Sequence, residues 1–158
     1  MKKKMIIIAF ISILIDQVVK MIIDIKVTSL VVIPKFLSLI YIRNAGVAFS
    51  MLKGSRLFII FTTIILLIIL YYIMKDEYLH VKDKTRDLYD ITFGILYGGI
   101  IGNLLDRIIR GEVIDYISVN IFGYLLPVFN IADVLITIGM ISLIIIHVNN
   151  NSKSKSEV

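Results

Sequence analysis

Four long apolar segments constrain the fold of this chain more than any other feature. They cover residues 5–23, 57–74, 88–105 and 128–148 of the 158-residue sequence. Each is close to the roughly 20 residues that a helix needs to cross the ~30 Å apolar layer of a bilayer. Because a helix satisfies its own backbone hydrogen bonds in lipid, the segments predict four membrane-spanning helices. We expect one all-α membrane domain, a four-transmembrane-helix bundle over residues 1–150, with a polar tail at 151–158.

Composition supports a membrane protein and excludes several kinds of site. Hydrophobic residues make up 58% of the chain, against roughly 45–50% in soluble domains. The absence of Cys rules out disulfides, thiol nucleophiles and thiolate metal sites. His80 and His147 form no HExxH motif, which disfavours a zinc protease and a serine–histidine hydrolase. The net charge of +5 indicates a membrane surface rather than nucleic acid as partner, and no metal or cofactor is expected.

The basic N-terminus predicts how the helices are oriented. Lys2, Lys3 and Lys4 precede the first span and place the N-terminus in the cytoplasm by the positive-inside rule. Four spans then return the C-terminus to the same side. The first segment also resembles a cleavable signal peptide, but Asp16 and Lys20 interrupt it and no small-residue cleavage site follows. A retained transmembrane helix is therefore favoured.

This topology leaves residues 24–56 and 106–127 as the two outer segments. The stretch "LVVIPKFLSLIYIRNAGVAFS" is rich in β-branched and aromatic residues, and Pro34 divides it into two short strands. We predict a small antiparallel sheet at about residues 27–50, resting on the outer membrane surface. A plain hairpin packed against the helix ends is the alternative.

Charged residues inside a span are costly and need partners. Asp16 and Lys20 are four residues apart on one helix face, and the favoured interpretation is a structural ion pair. Along the third span, glycines repeat every four residues at Gly94, Gly98 and Gly102. Such a stripe lets another helix approach closely. Asn103 beside it needs buried hydrogen-bond partners, whereas for Asp106 and Arg107 the plain alternative to a site role is interfacial anchoring.

Two further aspartates flank the second outer segment. Asp115 lies among apolar neighbours within it, and Asp133 stands at the outer start of the fourth span. Both can therefore meet at one membrane depth. Two carboxylates brought together in an apolar site share a proton, which is how aspartic proteases activate water. The alternative is that Asp133 is the N-cap of its helix and Asp115 an ordinary interfacial carboxylate; spacing alone leaves both open.

Five short blocks carry a resemblance to a known family. They are "DQVVK" at Asp16–Lys20, "RNAGVAF" at Arg43–Phe49, "GGIIGNLLDR" at Gly98–Arg107, "VIDYI" at Val113–Ile117 and "FNIAD" at Phe129–Asp133. In this order, and on four spans, they resemble the bacterial lipoprotein signal peptidases, also called signal peptidase II. Val47, where Ala is expected, is a mild departure.

The resemblance implies a function and a fold. The family removes the signal peptide from prolipoproteins once a diacylglyceryl group is attached to the lipobox Cys, and it cuts just before that Cys. Its fold is a four-helix bundle with a small extracytoplasmic β-cradle. The resemblance implies a multi-pass protein of the bacterial cytoplasmic membrane, with both termini cytoplasmic and the active site towards the extracytoplasmic face. Prolipoprotein and membrane lipid are the implied partners, and we expect a monomer.

The resemblance also assigns the site. Asp115 and Asp133 are implied to be the catalytic pair. Further motif positions implied to shape the site are Asp16, Lys20, Asn44, Gly46, Gly99, Asn103, Arg107, Asn130 and Ala132. Of these, Asn103 and Asn130 are expected to orient the aspartates or the substrate backbone. Arg107 is expected to hold a substrate carbonyl or lipid phosphates, and small Gly99 and Ala132 to leave room for the peptide.

Two other functions compete with a peptidase. Polar groups within the spans are typical of a small proton- or ion-coupled transporter, with Asp16, Lys20, Asn103 and Asp133 lining its path. A structural membrane subunit, locked together by the same groups, is the third possibility. The polar residues crowd at one end of the spans rather than along them, which favours chemistry at the interface.

Overall fold

The computed structural model describes residues 3–46, 52, 54–80 and 83–156. Its helices are α1 (Lys3–Lys26), α2 (Arg56–His80), α3 (Asp83–Ile109) and α4 (Ile131–Ser156). Each contains a stretch long and apolar enough to cross a membrane. The predicted four-helix membrane fold is therefore confirmed. Helix α4 continues well beyond the predicted end of its span at residue 148, into the segment expected to be a polar tail.

A small antiparallel sheet joins the helices at one end. Its strands are β1 (Ser29–Ile33), β2 (Leu37–Asn44), β3 (Val113–Ile121) and β4 (Tyr124–Leu125), and they pair in that order. The predicted sheet is confirmed, and the isolated hairpin is wrong because β2 also pairs with β3.

The prediction of strands at about residues 27–50 missed β3 and β4. The first four residues of β3 are all buried, so this strand shows none of the apolar–polar alternation that identifies a half-buried strand. Residues 47–50, including Val47 and the end of the "RNAGVAF" block, lie outside the described residues.

Helix α3 is the centre of the bundle. Of its apolar span, 56% is buried, compared with 22% or less in the other three. The glycine stripe faces α1: a Cβ atom on Gly98 would stand 2.4 Å from the Cβ of Ser12, and one on Gly102 would stand 2.6 Å from Asp16 Oδ2. The predicted close approach of a second helix is confirmed, and that helix is α1.

The strand that carries Asp115 is held on the bundle by a hydrophobic cluster. Ile114 and Tyr116 of β3 are buried against Ile23 near the end of α1. Because side chains alternate along a strand, Asp115 faces away from this cluster. Packing of β3 on α1 thus brings an acidic side chain to the ends of the helices.

Candidate functional site

A cavity of about 390 Å³ lies where the end of α3, the start of α4 and the sheet meet. Its polar lining includes Asn44, Asn103, Arg107, Asp115 and Asp133, and its apolar lining includes Val113, Phe129 and Ile136. Four elements, β2, α3, β3 and α4, therefore bring five of the predicted site residues to one cavity.

Asp115 is a buried carboxylate that hydrogen-bonds two amides. Its side chain accepts hydrogen bonds from Asn44 Nδ2 at 2.9 Å and from Asn130 Nδ2 at 2.7 Å. The pKa of Asp115 is raised from the ordinary 3.8 to about 6, mainly by burial and also by the nearby charge of Asp133. The two hydrogen bonds and the charge of Lys20 lower that pKa and only partly offset the burial. The group thus changes protonation state not far below neutral pH.

Asp133 lies in the first turn of α4 and takes part in a reciprocal cap. Its backbone N–H donates to Asn130 Oδ1 at 3.0 Å, while the backbone N–H of Asn130 donates to Asp133 Oδ2 at 3.1 Å. This is a capping box, in which the N-cap and the third helical residue satisfy each other. The prediction that Asp133 is the N-cap is therefore wrong: Asn130 is the N-cap, and it fixes Asp133 at the mouth of the helix.

Two asparagines connect the aspartates. Asn130 Nδ2 donates to Asp115 and also lies 3.2 Å from Asn103 Oδ1. Asn103 Nδ2 donates in turn to Asp133 Oδ1 at 2.8 Å. Asp115, Asn130, Asn103 and Asp133 thus form one hydrogen-bonded chain. Both carboxylates are oriented by donors, the arrangement expected of groups that must be aimed at a substrate.

Lys20 lies directly behind this chain. Its Nζ is 2.8 Å from Asn103 Oδ1, 2.9 Å from Asp16 Oδ2 and 2.8 Å from Asp106 Oδ2. The side chains of Lys20, Asp16 and Asp106 have no solvent exposure. The predicted ion pair of Asp16 with Lys20 is confirmed, and it has a third member.

The third member is Asp106, so the interpretation of Asp106 as an interfacial anchor is wrong. Asp106 is fully buried because the glycine at Gly102 lets α1 cover this face of α3. Gln17, also missed from sequence, donates to both Asp16 and Asp106. One signal was available: Asp106 follows Asn103 by three residues and Gly102 by four, and so shares their helix face.

Arg107 and Gly46 belong to the support of the sheet. Arg107 donates to the carbonyl oxygen of Gly46 at 3.0 Å and to that of Asn103 at 3.1 Å. The Gly46 N–H donates to Asn44 Oδ1 at 3.0 Å. Arg107 therefore ties the turn after β2 to the end of α3, and with it the asparagine that contacts Asp115.

Gly99 and Ala132 do not leave room for a peptide, contrary to the prediction. Ala132 has no solvent exposure. A Cβ atom on Gly99 would stand 2.6 Å from the Ala132 carbonyl oxygen. The two small residues instead let α4 begin against α3, which sets the position of the following residue, Asp133.

The chemistry available in the cavity is acid–base chemistry. Among the residues that the structure describes, no three His, Cys, Asp or Glu side chains are grouped so as to hold a metal ion. The cavity instead offers two aspartates in one hydrogen-bonded chain, with Arg107 beside them. Two carboxylates that share a site hold different protonation states and can act as an acid and a base.

Comparisons with known proteins identify the family. Residues 8–149 match the family model described as signal peptidase (SPase) II. The chain is 40% identical over 156 residues to the lipoprotein signal peptidases of Staphylococcus aureus strains JH9 and Newman, covering 96% of this chain and 92% of each relative.

Solved structures of bacterial membrane enzymes share the fold. A bacterial membrane enzyme determined by the in meso method at 2.3 Å resolution superimposes with a TM-score of 0.78 at 40% identity, covering 94% of this chain and 90% of the other. A second such structure, at 1.9 Å, gives a TM-score of 0.73 at 41% identity, covering 89% and 90%. This chain belongs to the signal peptidase II family, the lipoprotein signal peptidases, and is a multi-pass membrane peptidase.

Proposed function

We propose that the chain is an intramembrane aspartic endopeptidase with Asp115 and Asp133 as its catalytic pair. Its substrates are diacylglyceryl-modified prolipoproteins, and it removes their signal peptide by cutting just before the lipidated Cys. The observation that carries the catalytic assignment is the hydrogen-bonded chain that joins the two aspartates in one cavity through Asn130 and Asn103. The names of the relatives support the class of substrate.

The reaction needs one ionised and one protonated carboxyl group. The ionised group takes a proton from a water molecule, whose oxygen attacks the scissile carbonyl carbon. The protonated group donates a hydrogen bond to the carbonyl oxygen and stabilises the negative charge that develops there. When the C–N bond breaks, a carboxyl proton passes to the leaving amine. The raised pKa of Asp115, about 6, suits such an exchange near neutral pH.

The surrounding amides support this chemistry. Asn44 and Asn130 donate to Asp115, and Asn103 donates to Asp133, so neither carboxylate rotates freely. Apolar residues, among them Val113, Phe129 and Ile136, line the cavity beside the pair. The same donors stabilise the ionised form, which keeps the base available.

The proposed membrane placement follows from the charge pattern and the position of the site. α1 begins at Lys3, and Asp16 and Lys20, which lie next to the cavity, stand in its second half. With a cytoplasmic N-terminus, the aspartates lie towards the extracytoplasmic face, where water enters and where lipidated precursors present their cleavage site. The enzyme acts as a monomer on substrate that reaches it through the membrane lipid.

The proposal is tested with purified protein in detergent. The wild type is expected to cleave a diacylglyceryl-modified precursor and not the unmodified one, and mass spectrometry should find the modified Cys at the new N-terminus. The variants Asp115→Asn and Asp133→Asn are expected to be inactive. Asp87→Asn, which removes an exposed carboxylate, is the matched control and should cleave normally.

Two results would contradict the proposal. Full cleavage by Asp115→Asn or by Asp133→Asn would refute the assignment of these residues as the catalytic pair. Ion flux in liposomes without any peptide cleavage would refute the peptidase proposal and favour the transporter.

A further inference from the structure

We propose that the buried triad Asp16–Lys20–Asp106 is a positioning device for the two catalytic aspartates. The inference rests on the proposed function, because it assigns a role relative to Asp115 and Asp133. It adds Asp106 and extends the roles of Asp16 and Lys20: they act through the backbone and through Asn103 without touching the substrate.

Each carboxylate of the triad binds the backbone directly before one catalytic residue. Asp106 Oδ2 accepts a hydrogen bond from the N–H of Ile114 at 3.3 Å, and Ile114 immediately precedes Asp115. Asp16 Oδ1 accepts one from the N–H of Ala132 at 3.2 Å, and Ala132 immediately precedes Asp133. The start of β3 and the start of α4 are therefore both anchored to side chains of the bundle.

Lys20 joins the two anchors and adds a third contact. An ammonium group has three N–H donors and no acceptor. In Lys20 these face one oxygen each of Asp16, Asp106 and Asn103, at 2.8–2.9 Å. Because Lys20 can only donate, the oxygen of the Asn103 amide must face it. The NH₂ group of Asn103 must then point the other way, towards Asp133.

The same constraint passes along the amide chain. With its oxygen facing Lys20, Asn103 accepts a hydrogen bond from Asn130, whose Nδ2 also donates to Asp115. The buried Lys20 ammonium therefore fixes the direction of the Asn103 hydrogen bonds, and the capping bond from the Asp133 N–H to Asn130 Oδ1 orients Asn130 in the same sense. If either amide were reversed, an NH₂ group would meet another donor and a carbonyl would face a carboxylate.

The charges of this cluster are balanced. Arg110 pairs with Asp106, so two carboxylates meet two cations, and Gln17 bridges the carboxylates with contacts of 3.2 and 3.1 Å. A buried ion network stabilises a fold no better than a hydrophobic cluster of similar volume. In this cluster, however, the charged groups hold both backbone amides and orient Asn103. Positioning is therefore the function that accounts for the cluster.

The test compares Asp106→Asn and Asp16→Asn with Asp87→Asn, which breaks the exposed ion pair of Asp87 with Lys4. Misplacement of a reacting group by about 1 Å costs on the order of 100-fold in rate. Both triad variants are expected to lose about 10- to 100-fold in kcat with KM within about twofold, and the control to keep both constants.

Hydrogen exchange supplies a second readout that does not depend on cleavage. Asp106→Asn should speed amide exchange in peptides covering residues 113–117 more than in those covering 129–134, and Asp16→Asn should show the reverse. If Asp106→Asn cannot be purified folded, Asp106→Glu, which keeps the charge and moves the carboxylate by one methylene, takes its place in both measurements.

The outcomes separate this inference from the proposed function. An unchanged kcat in both triad variants, or equal effects of each variant on both peptides, would overturn the positioning role. Failure of the wild type to cleave would overturn the proposed function, while the exchange pattern would still decide whether each carboxylate holds its own backbone segment.

Discussion

Removal of the Asn44 side chain should shift the pH dependence of cleavage. Asn44 Nδ2 donates to Asp115 Oδ2 at 2.9 Å, and this hydrogen bond lowers the pKa of Asp115 because it favours the ionised form. In Asn44→Ala this bond is lost, while Asp115 stays within the fold, where it is buried. The pKa of Asp115 should therefore rise above its present value of about 6.

The size of the shift follows from the strength of one such bond. Hydrogen bonds to charged groups contribute about 1.5–3 kcal/mol to stability. Asn44 is partly exposed, so water replaces a share of the bond in the variant. A net difference of about 1.4 kcal/mol corresponds to one pH unit. The limb of the kcat/KM profile that Asp115 governs should then move from about pH 6 to about pH 7.

The assay measures kcat/KM on a lipidated precursor between pH 4.5 and 9 (about half-unit steps), with detergent and salt held constant. Asn120→Ala is the matched control, because Asn120 lies on β3 of the same sheet and its side chain accepts a local hydrogen bond from the Gly123 N–H. Its profile should equal that of the wild type. An unshifted limb in Asn44→Ala, or a shift to lower pH, would refute the assignment of Asp115 to this limb.

Three further variants test other parts of the account. Because burial raises the pKa of Asp115 from 3.8 to about 6, the folded state loses stability as pH rises through this window. Asp115→Asn should therefore be more stable than the wild type by up to about 3 kcal/mol above pH 7, and the difference should vanish near pH 4 in thermal unfolding; a difference independent of pH would contradict this. Asn130→Ser keeps an N-cap oxygen but removes the amide that donates to Asp115. It should unfold within a few degrees of the wild type yet lose at least about tenfold in kcat, and normal cleavage would argue against the amide chain. Gly99→Ala forces a Cβ atom to 2.6 Å from the Ala132 carbonyl oxygen, whereas Gly139→Ala meets a side-chain carbon at 3.0 Å. Only the first should lower both melting temperature and activity clearly, and equal effects would count against backbone displacement at the start of α4.

The helices could be predicted from sequence because apolar length alone decides a span in lipid. The first hairpin could also be predicted, since Pro34 separates two β-rich stretches and the structure turns there between β1 and β2. β3 could not be recognised by alternation, because consecutive residues at its start are all buried. Its burial depends on β2 and on the helix ends, which no local pattern encodes.

The site shows the same division between local and tertiary information. Topology and the five motif blocks indicated that Asp115 and Asp133 would meet, and both line one cavity in the structure. The burial of Asp106 was missed because it depends on how α1 packs over Gly102. The alternative that Asp133 is the N-cap is wrong, because Asn130 three residues earlier begins an Asn-x-x-Asp pattern of the capping-box type. That signal was local and could have been used.

The central claim is that Asp115 and Asp133 act together on one water molecule. Its most direct test is the single-turnover rate of cleavage in Asp115→Asn, Asp133→Asn and the double variant, each shown to be folded. Catalytic groups that act as a unit have strongly non-additive effects. The account predicts that each single variant loses at least about 1,000-fold and that the double variant is no slower than the slower single variant. A single variant that retains a rate within about tenfold of the wild type, or losses that multiply in the double variant, would contradict a catalytic pair.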